Sequence, residues 1–76
     1  MFTIYSMEGC GYCQQVKKLM ELTEQPHVVY TLERDFSLAE FKSEFNSDTF
    51  PIVVHNDKVV GGAAEVAQYF KDNNLV

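Results

Sequence analysis

Positive charge is scarce in this chain: six Lys and Arg stand against eleven Asp and Glu, for a net charge of −5. Nucleic-acid backbones are held by clustered Lys and Arg, so no nucleic-acid partner is expected, and an anionic membrane surface is disfavoured for the same reason. No apolar run approaches the roughly 20 residues needed to cross a bilayer, so no membrane association is expected. The opening Met1-Phe2-Thr3-Ile4-Tyr5 lacks the basic segment and long apolar stretch of a secretory leader. Cysteine is nearly absent, with two residues where a small secreted scaffold would carry several disulfides. A reducing cytoplasmic setting is the expectation. The 76 residues suit one domain over 1–76. A chain this short buries only about 60% of its unfolded surface, and six Phe and four Tyr are present to make that core efficient.

The two cysteines sit three residues apart, at Cys10-Gly11-Tyr12-Cys13, just after a strand-like run and at the start of a helix-like one. Three positions are about one helical turn, so both sulfurs face the same way and can close a small ring. Two thiols that pair reversibly at the mouth of a helix form a redox device.

Hydrophobic periodicity orders the rest. Phe2 to Ser6 reads as a strand. From Cys10 the period becomes helical, with Tyr12, Cys13, Val16, Leu19 and Met20 on one side and Pro26 marking the end. Val28-Val29-Tyr30-Thr31-Leu32 reads as a buried strand. Ser37 and Glu40 form a capping-box pattern, with Phe36 placed to staple onto Phe41 and Leu38, Phe41 and Phe45 as the apolar face. Ile52 to His55 and Lys58 to Val60 are short strands around a tight Asn56-Asp57 turn. After Gly61-Gly62, the positions Ala63, Val66, Ala67 and Phe70 mark a last amphipathic helix. The order is βαβαββα. The first two strands should run parallel through a right-handed crossover, the hairpin should add antiparallel strands on the other side of the first, and helices should cover both faces.

A thiolate, not a thiol, attacks a disulfide. Cys10 lies where unpaired helix N–H groups converge, an effect worth roughly 0.3–2 kcal/mol. Glu8 opposes it and Lys17, about 10 Å further along the helix, is too far to help much. The Cys10 thiolate is therefore favoured to a moderate degree. Cys13, one turn inward, should be more buried and act as the resolving thiol. The pair could instead be a zinc half-site or a structural disulfide. Zinc needs four ligands, and the only histidines, His27 and His55, do not follow a finger spacing; a four-residue loop constrains little chain.

Thr49-Phe50-Pro51 precedes the third strand. It is either a plain strand start or a cis bond that turns the Phe50 backbone outward, beside the cysteines, to pair with a peptide-like substrate. Gly61-Gly62 is either a flexible turn with Gly62 at the N-cap or bare backbone at a helix start, which can bind a carboxylate. Tyr12 is either ordinary surface or a stacking wall of the site.

These features, in this order, resemble a glutaredoxin of the dithiol type over nearly the whole chain: Ile4-Tyr5-Ser6, Cys10-Gly11-Tyr12-Cys13, Thr49-Phe50-Pro51, Gly61-Gly62 and the ending Tyr69-Phe70-Lys71-Asp72-Asn73. Thioredoxins share the cysteine pair but usually carry Trp before the first cysteine, and this chain has none. The resemblance implies a thioredoxin-like fold, with a four-stranded mixed sheet flanked by three helices. It also implies reduction of protein disulfides or glutathione-mixed disulfides, with glutathione as cosubstrate and no metal in the dithiol reaction. By the same resemblance Cys10 is the nucleophile and Tyr12 flanks glutathione. Thr49, Phe50 and Pro51, with a cis proline, pair with its cysteinyl backbone. Gly62, Ala63, Ala64 and Glu65 receive its γ-glutamyl carboxylate. Three departures stand out: Met7 where a lysine is common, Gly11 where a proline is usual, and Glu65 where Asp is common.

The expected function is that of a glutathione-dependent thiol–disulfide oxidoreductase, monomeric, with disulfide-containing proteins as substrates and ribonucleotide reductase as a natural electron acceptor. Met7 mildly favours a redoxin fed by thioredoxin reductase instead. Gly11 also admits a [2Fe–2S] carrier, in which Cys10 from each of two subunits and two glutathiones hold the cluster.

Overall fold

The computed structural model describes residues 1–76. Its order is β1 (Phe2–Ser6), α1 (Gly11–Leu22), β2 (His27–Thr31), α2 (Leu38–Phe45), β3 (Ile52–His55), β4 (Lys58–Gly61) and α3 (Ala63–Asp72). The four strands form one mixed sheet in the order β2-β1-β3-β4. β1 pairs parallel with β2 and antiparallel with β3, and β3 pairs antiparallel with β4. The order βαβαββα is the one expected from the pattern of the sequence, and the sheet is that of the thioredoxin-like fold that the resemblance implies.

Strand alternation sorts β1 between two faces. Phe2, Ile4 and Ser6 are buried on one side, where Val16 and Met20 of α1, Val53 of β3, and Val66 and Phe70 of α3 complete the main core. Tyr5 points the other way, toward α2, where its ring lies 6.0 Å from Phe41 and 4.9 Å from Phe45. The rings of Phe36, Phe41 and Phe45 line the space between α2 and the sheet.

α2 is nucleated as the sequence suggests. The Ser37 hydroxyl accepts from the Glu40 N–H at 3.2 Å, and the Glu40 carboxylate accepts from the Ser37 N–H at 3.2 Å. Phe36 staples onto Phe41 with ring centroids 5.5 Å apart. The helix stops at Asn46, which takes the left-handed conformation at φ 53°, one that Asn tolerates better than most residues.

Some expectations shift. β2 is not a buried strand: it is an edge strand, half-exposed along its length, with only Thr31 buried. Its β-branched composition reflects an edge covered by helices only in part. Cys10 caps α1 rather than lying inside it. β4 runs one residue further, to Gly61, past a bulge opposite Val53 and Val54. Leu38 and Ala67 sit on solvent-facing sides of their helices.

Candidate active site

β1 delivers the chain to a short Met7-Glu8-Gly9 turn. Gly9 adopts φ +73°, open to glycine without strain. Cys10 follows in an extended conformation as the N-cap of α1, and its Sγ accepts the backbone N–H of Cys13 at 3.1 Å. The two cysteines are joined as a disulfide, with Cα atoms 5.2 Å apart. Cys13 is fully buried, whereas Cys10 is only partly covered. That asymmetry is what a nucleophile and a resolving thiol need: one sulfur meets the substrate, and the other meets only its neighbour.

The loop before β3 crosses in front of the pair. The Phe50–Pro51 bond is cis, and the Phe50 carbonyl oxygen lies 3.9 Å from Cys10 Sγ. With the disulfide closed there is no thiol proton to donate, so this is a contact rather than a hydrogen bond. Thr49 is fixed by Ser47, whose hydroxyl shares a 2.9 Å hydrogen bond with the Thr49 hydroxyl and accepts the Thr49 N–H at 3.2 Å. Pro51 is buried.

The two glycines behind this loop are not equivalent. Gly61 ends β4 at φ +126°, whereas Gly62 is the extended N-cap of α3 at φ −88°. The Glu65 carboxylate accepts the Gly62 N–H at 2.8 Å. Gly62 has no side chain to return the favour, so the first-turn N–H groups of α3 keep no side-chain cap. The start of α3 lies close to Pro51: a methyl placed on Gly62 would stand 3.5 Å from the Pro51 carbonyl.

The structure brings all eight residues singled out beside the cysteines into one place. Tyr12, Thr49, Phe50, Pro51, Gly62, Ala63, Ala64 and Glu65 line a single groove of about 330 Å³. Tyr12 is 64% exposed, so its ring is free to cover whatever enters. The groove offers an extended backbone segment beside the disulfide and a helix start with free donors, which suits a short peptide ending in a carboxylate.

Sequence reasoning missed Arg34. Its guanidinium donates to Thr31 Oγ1 at 3.3 Å and lies 3.5 Å from Asp35. With Gln14 and Lys17 it borders a second groove, of about 490 Å³, against Met7, Glu8 and Gly9. The available signal was the parallel pairing of β1 with β2. That register sets Ser6 against Thr31, so the residues that follow both strands emerge at the same end of the sheet.

The histidines stay away from the sulfurs. His27 and His55 both pair with Phe2, at the end of β1 opposite the cysteines, about 13 Å along a five-residue strand. His27 Nδ1 bonds the Gln25 carbonyl at 2.8 Å, and His55 Nδ1 bonds the Tyr69 hydroxyl at 2.7 Å. Neither completes a half-site at Cys10 and Cys13, and no three His, Cys, Asp or Glu side chains converge.

A family model described as Glutaredoxin matches residues 2–60. A buckwheat glutaredoxin solved with glutathione superposes with TM-score 0.83 at 26% identity, over 97% of this chain and 71% of that one. The reduced glutaredoxin C1 of Populus tremula x tremuloides gives 0.81 at 25% identity, over 97% and 67%. Glutaredoxin 1 of Francisella tularensis, solved with cacodylate, shares the fold at TM-score 0.80 and 23% identity, over 97% and 94%. No curated protein sequence matches the chain significantly.

Proposed function

Because this chain belongs to the glutaredoxin family, we propose that it is a glutathione-dependent thiol–disulfide oxidoreductase of a reducing, cytoplasmic compartment. Its substrates are protein disulfides and glutathione-mixed disulfides. The observation that carries this reading is the half-buried Cys10, its sulfur 3.9 Å from the carbonyl of Phe50, which lines a groove with extended backbone on one side and an uncapped helix start on the other. A glutathione-bound relative of the same fold supports the choice of ligand.

The reaction starts from the dithiol. The Cys10 thiolate attacks one sulfur of the substrate disulfide, and the other sulfur leaves as a thiolate that takes up a proton. Cys13, deprotonated, then attacks Cys10 Sγ, closes the internal disulfide and expels the second substrate thiol. Two electrons and two protons have passed to the substrate. One glutathione thiolate then opens the Cys10–Cys13 bond at Cys10, and a second attacks the resulting mixed disulfide, restoring the dithiol and forming oxidised glutathione. Phe50 and Pro51 align the cysteinyl backbone of glutathione in this step, Tyr12 covers it, and the first turn of α3 from Gly62 to Glu65 holds its γ-glutamyl carboxylate.

One observation favours a second donor. Met7 stands where a lysine would add positive charge beside the thiolate and a glutathione carboxylate, so thioredoxin reductase is the alternative source of electrons. Turnover of a model disulfide with glutathione plus glutathione reductase, set against turnover with thioredoxin reductase, tests the choice. Activity with the second system alone would overturn the glutathione reading and leave the dithiol chemistry intact.

A further inference from the structure

On the face of the sheet away from the main core, α2 does not close fully onto β1 and leaves a cavity of about 190 Å³. Its walls are aromatic. Around Tyr5 stand the rings of Tyr30, Phe36 and Phe45, with centroids 5.6, 5.4 and 4.9 Å away at interplanar angles of 44°, 78° and 60°. With Phe41 they make five of the eight residues that line this space aromatic. Three carboxylates, Asp35, Glu40 and Glu44, stand at the rim.

Two of these carboxylates have structural work. Asp35 accepts the Thr31 N–H at 2.8 Å, and Glu40 caps α2. Glu44 has neither role, and the two ion pairs of the chain, Arg34–Asp35 and Lys42–Asp48, leave it without a cation. Its field reaches the cavity floor: the Tyr5 phenol is raised above its ordinary range by burial first and by the Glu44 charge second. A purely apolar occupant would use the rings and waste the rim, and an anion would be repelled by it. An alkylammonium group uses both, since ring faces attract cations.

The cavity also lies near the chemistry. Phe41, in its lining, stacks on Phe50 with centroids 4.5 Å apart at 19°. The carbonyl of Phe50 borders Cys10 Sγ at 3.9 Å. Phe50 thus links the cavity wall to the reactive sulfur, its ring on the one and its carbonyl beside the other.

We propose that this aromatic, carboxylate-rimmed cavity is a socket for a lysine side chain of the protein whose disulfide is reduced at Cys10. The inference rests on the disulfide-reductase reading and adds to it a choice among substrates: proteins with a lysine placed to reach the socket dock better than those without. The one ammonium of glutathione sits beside its own α-carboxylate, which the acidic rim would repel.

The test has two arms. In the first, amide spectra of the isotopically labelled protein are recorded while N-acetyl-lysine N-methylamide is added, and again with the uncharged norleucine counterpart. The lysine probe should move the amides of Tyr5, Tyr30 and Phe45, and norleucine should not. Binding should weaken about two- to fivefold in Glu44→Gln and in Tyr30→Leu, the size of an exposed cation–π contact. No movement at those amides, or equal movement with norleucine, overturns the socket. In the second arm, kcat/KM is compared for a disulfide peptide carrying lysine and its glutamine version. Wild type should prefer lysine about two- to fivefold, and Glu44→Gln should lose that preference. Bis(2-hydroxyethyl) disulfide separates the two ideas. If it is reduced normally while the lysine preference is missing, the socket alone fails. If wild type does not reduce it at all, the reductase reading fails and the role of the socket goes with it.

Discussion

The backbone N–H of Cys13 points at Cys10 Sγ from 3.1 Å. One residue thus caps its helix with the atom proposed as the nucleophile. A negative charge on that sulfur would sit at the N-terminal end of α1, where an N–H donor is already aimed at it. Because the donor is backbone, it survives any substitution of the Cys13 side chain except proline.

Selective alkylation follows from the burial difference. In the reduced protein at neutral pH, limiting iodoacetamide should label Cys10 in preference to Cys13, on the order of tenfold or more, since reactivity needs both thiolate and access. Peptide mapping by mass spectrometry gives the ratio. Equal labelling would mean that Cys13 is not shielded as its burial indicates.

Substitution should separate the two sulfurs functionally. Cys10→Ser should reduce disulfide turnover to background. Cys13→Ser keeps the nucleophile and the N–H donor, so treatment with oxidised glutathione followed by removal of free glutathione should leave a mixed disulfide on Cys10, visible as a mass increase of one glutathione. Should Cys10→Ser retain activity with both donors, the nucleophile is wrongly assigned.

α2 should be sensitive at its cap and at its anchor. Ser37→Ala removes the hydroxyl that accepts the Glu40 N–H and donates to the Glu40 carboxylate, leaves the Ser37 N–H bonded to Glu40, and should cost about 0.5–2 kcal/mol. Phe41 is 2% exposed and packs against four rings, those of Tyr5, Phe36, Phe45 and Phe50. Phe41→Ala should cost about 3–5 kcal/mol, a large share of the roughly 5–15 kcal/mol that holds a domain folded. Urea midpoints measure both, and a smaller loss for Phe41→Ala than for Ser37→Ala would contradict the packing.

What could be read from the sequence was whatever local chemistry decides. Ser37 with Glu40, Phe36 with Phe41, and Cys10 with Cys13 act over three to five residues, and each forms as its spacing implies. The groove was legible because Tyr12, Thr49 to Pro51 and Gly62 to Glu65 are the positions that the glutaredoxin resemblance singles out, and they line one space. What the sequence hid depends on partners far along the chain. Val28 and Val29 look buried until β2 proves to be an edge. Arg34 looks like a loop charge until the β1–β2 register carries it to the groove beside Met7. The space under α2 exists because large rings prop the helix away from β1, which no pattern of polar and apolar letters encodes.

Stability should fall on mild acidification because of His55. Its ring stacks on Phe2 at 4.0 Å and bonds the Tyr69 hydroxyl at 2.7 Å. Burial, and then the N-terminal ammonium, hold its affinity for a proton below the ordinary histidine value near 6.5. The unfolded chain therefore takes up this proton first as pH drops. The contribution is fully present above about pH 6.5 and is lost on the way down to the lower folded value, at no more than about 1.4 kcal/mol per pH unit. Urea midpoints between pH 7.5 and 5.5 should decline in wild type and decline less in His55→Gln. Parallel curves would assign the loss to other groups.

The two adjacent glycines should respond in different ways to the same added methyl. Gly61 stands at φ +126°, and a Cβ there would sit 2.9 Å from both Cβ and Cγ of Glu65. Strain of this kind costs about 1–3 kcal/mol, so Gly61→Ala should lower the urea midpoint clearly. Gly62 is extended, and its methyl would meet only the end of the Glu65 side chain at 3.2 Å and the Pro51 carbonyl at 3.5 Å. Loss of a glycine cap and gain from a stiffer unfolded chain oppose each other, so Gly62→Ala should stay within about 1 kcal/mol of wild type. Its effect belongs to the groove instead: the methyl pushes the Glu65 carboxylate off the Gly62 N–H and narrows the passage to Pro51, so KM for glutathione should rise while turnover of the internal disulfide persists. If Gly62→Ala proves the more destabilising of the two with KM unchanged, the start of α3 is neither built nor used in the way described.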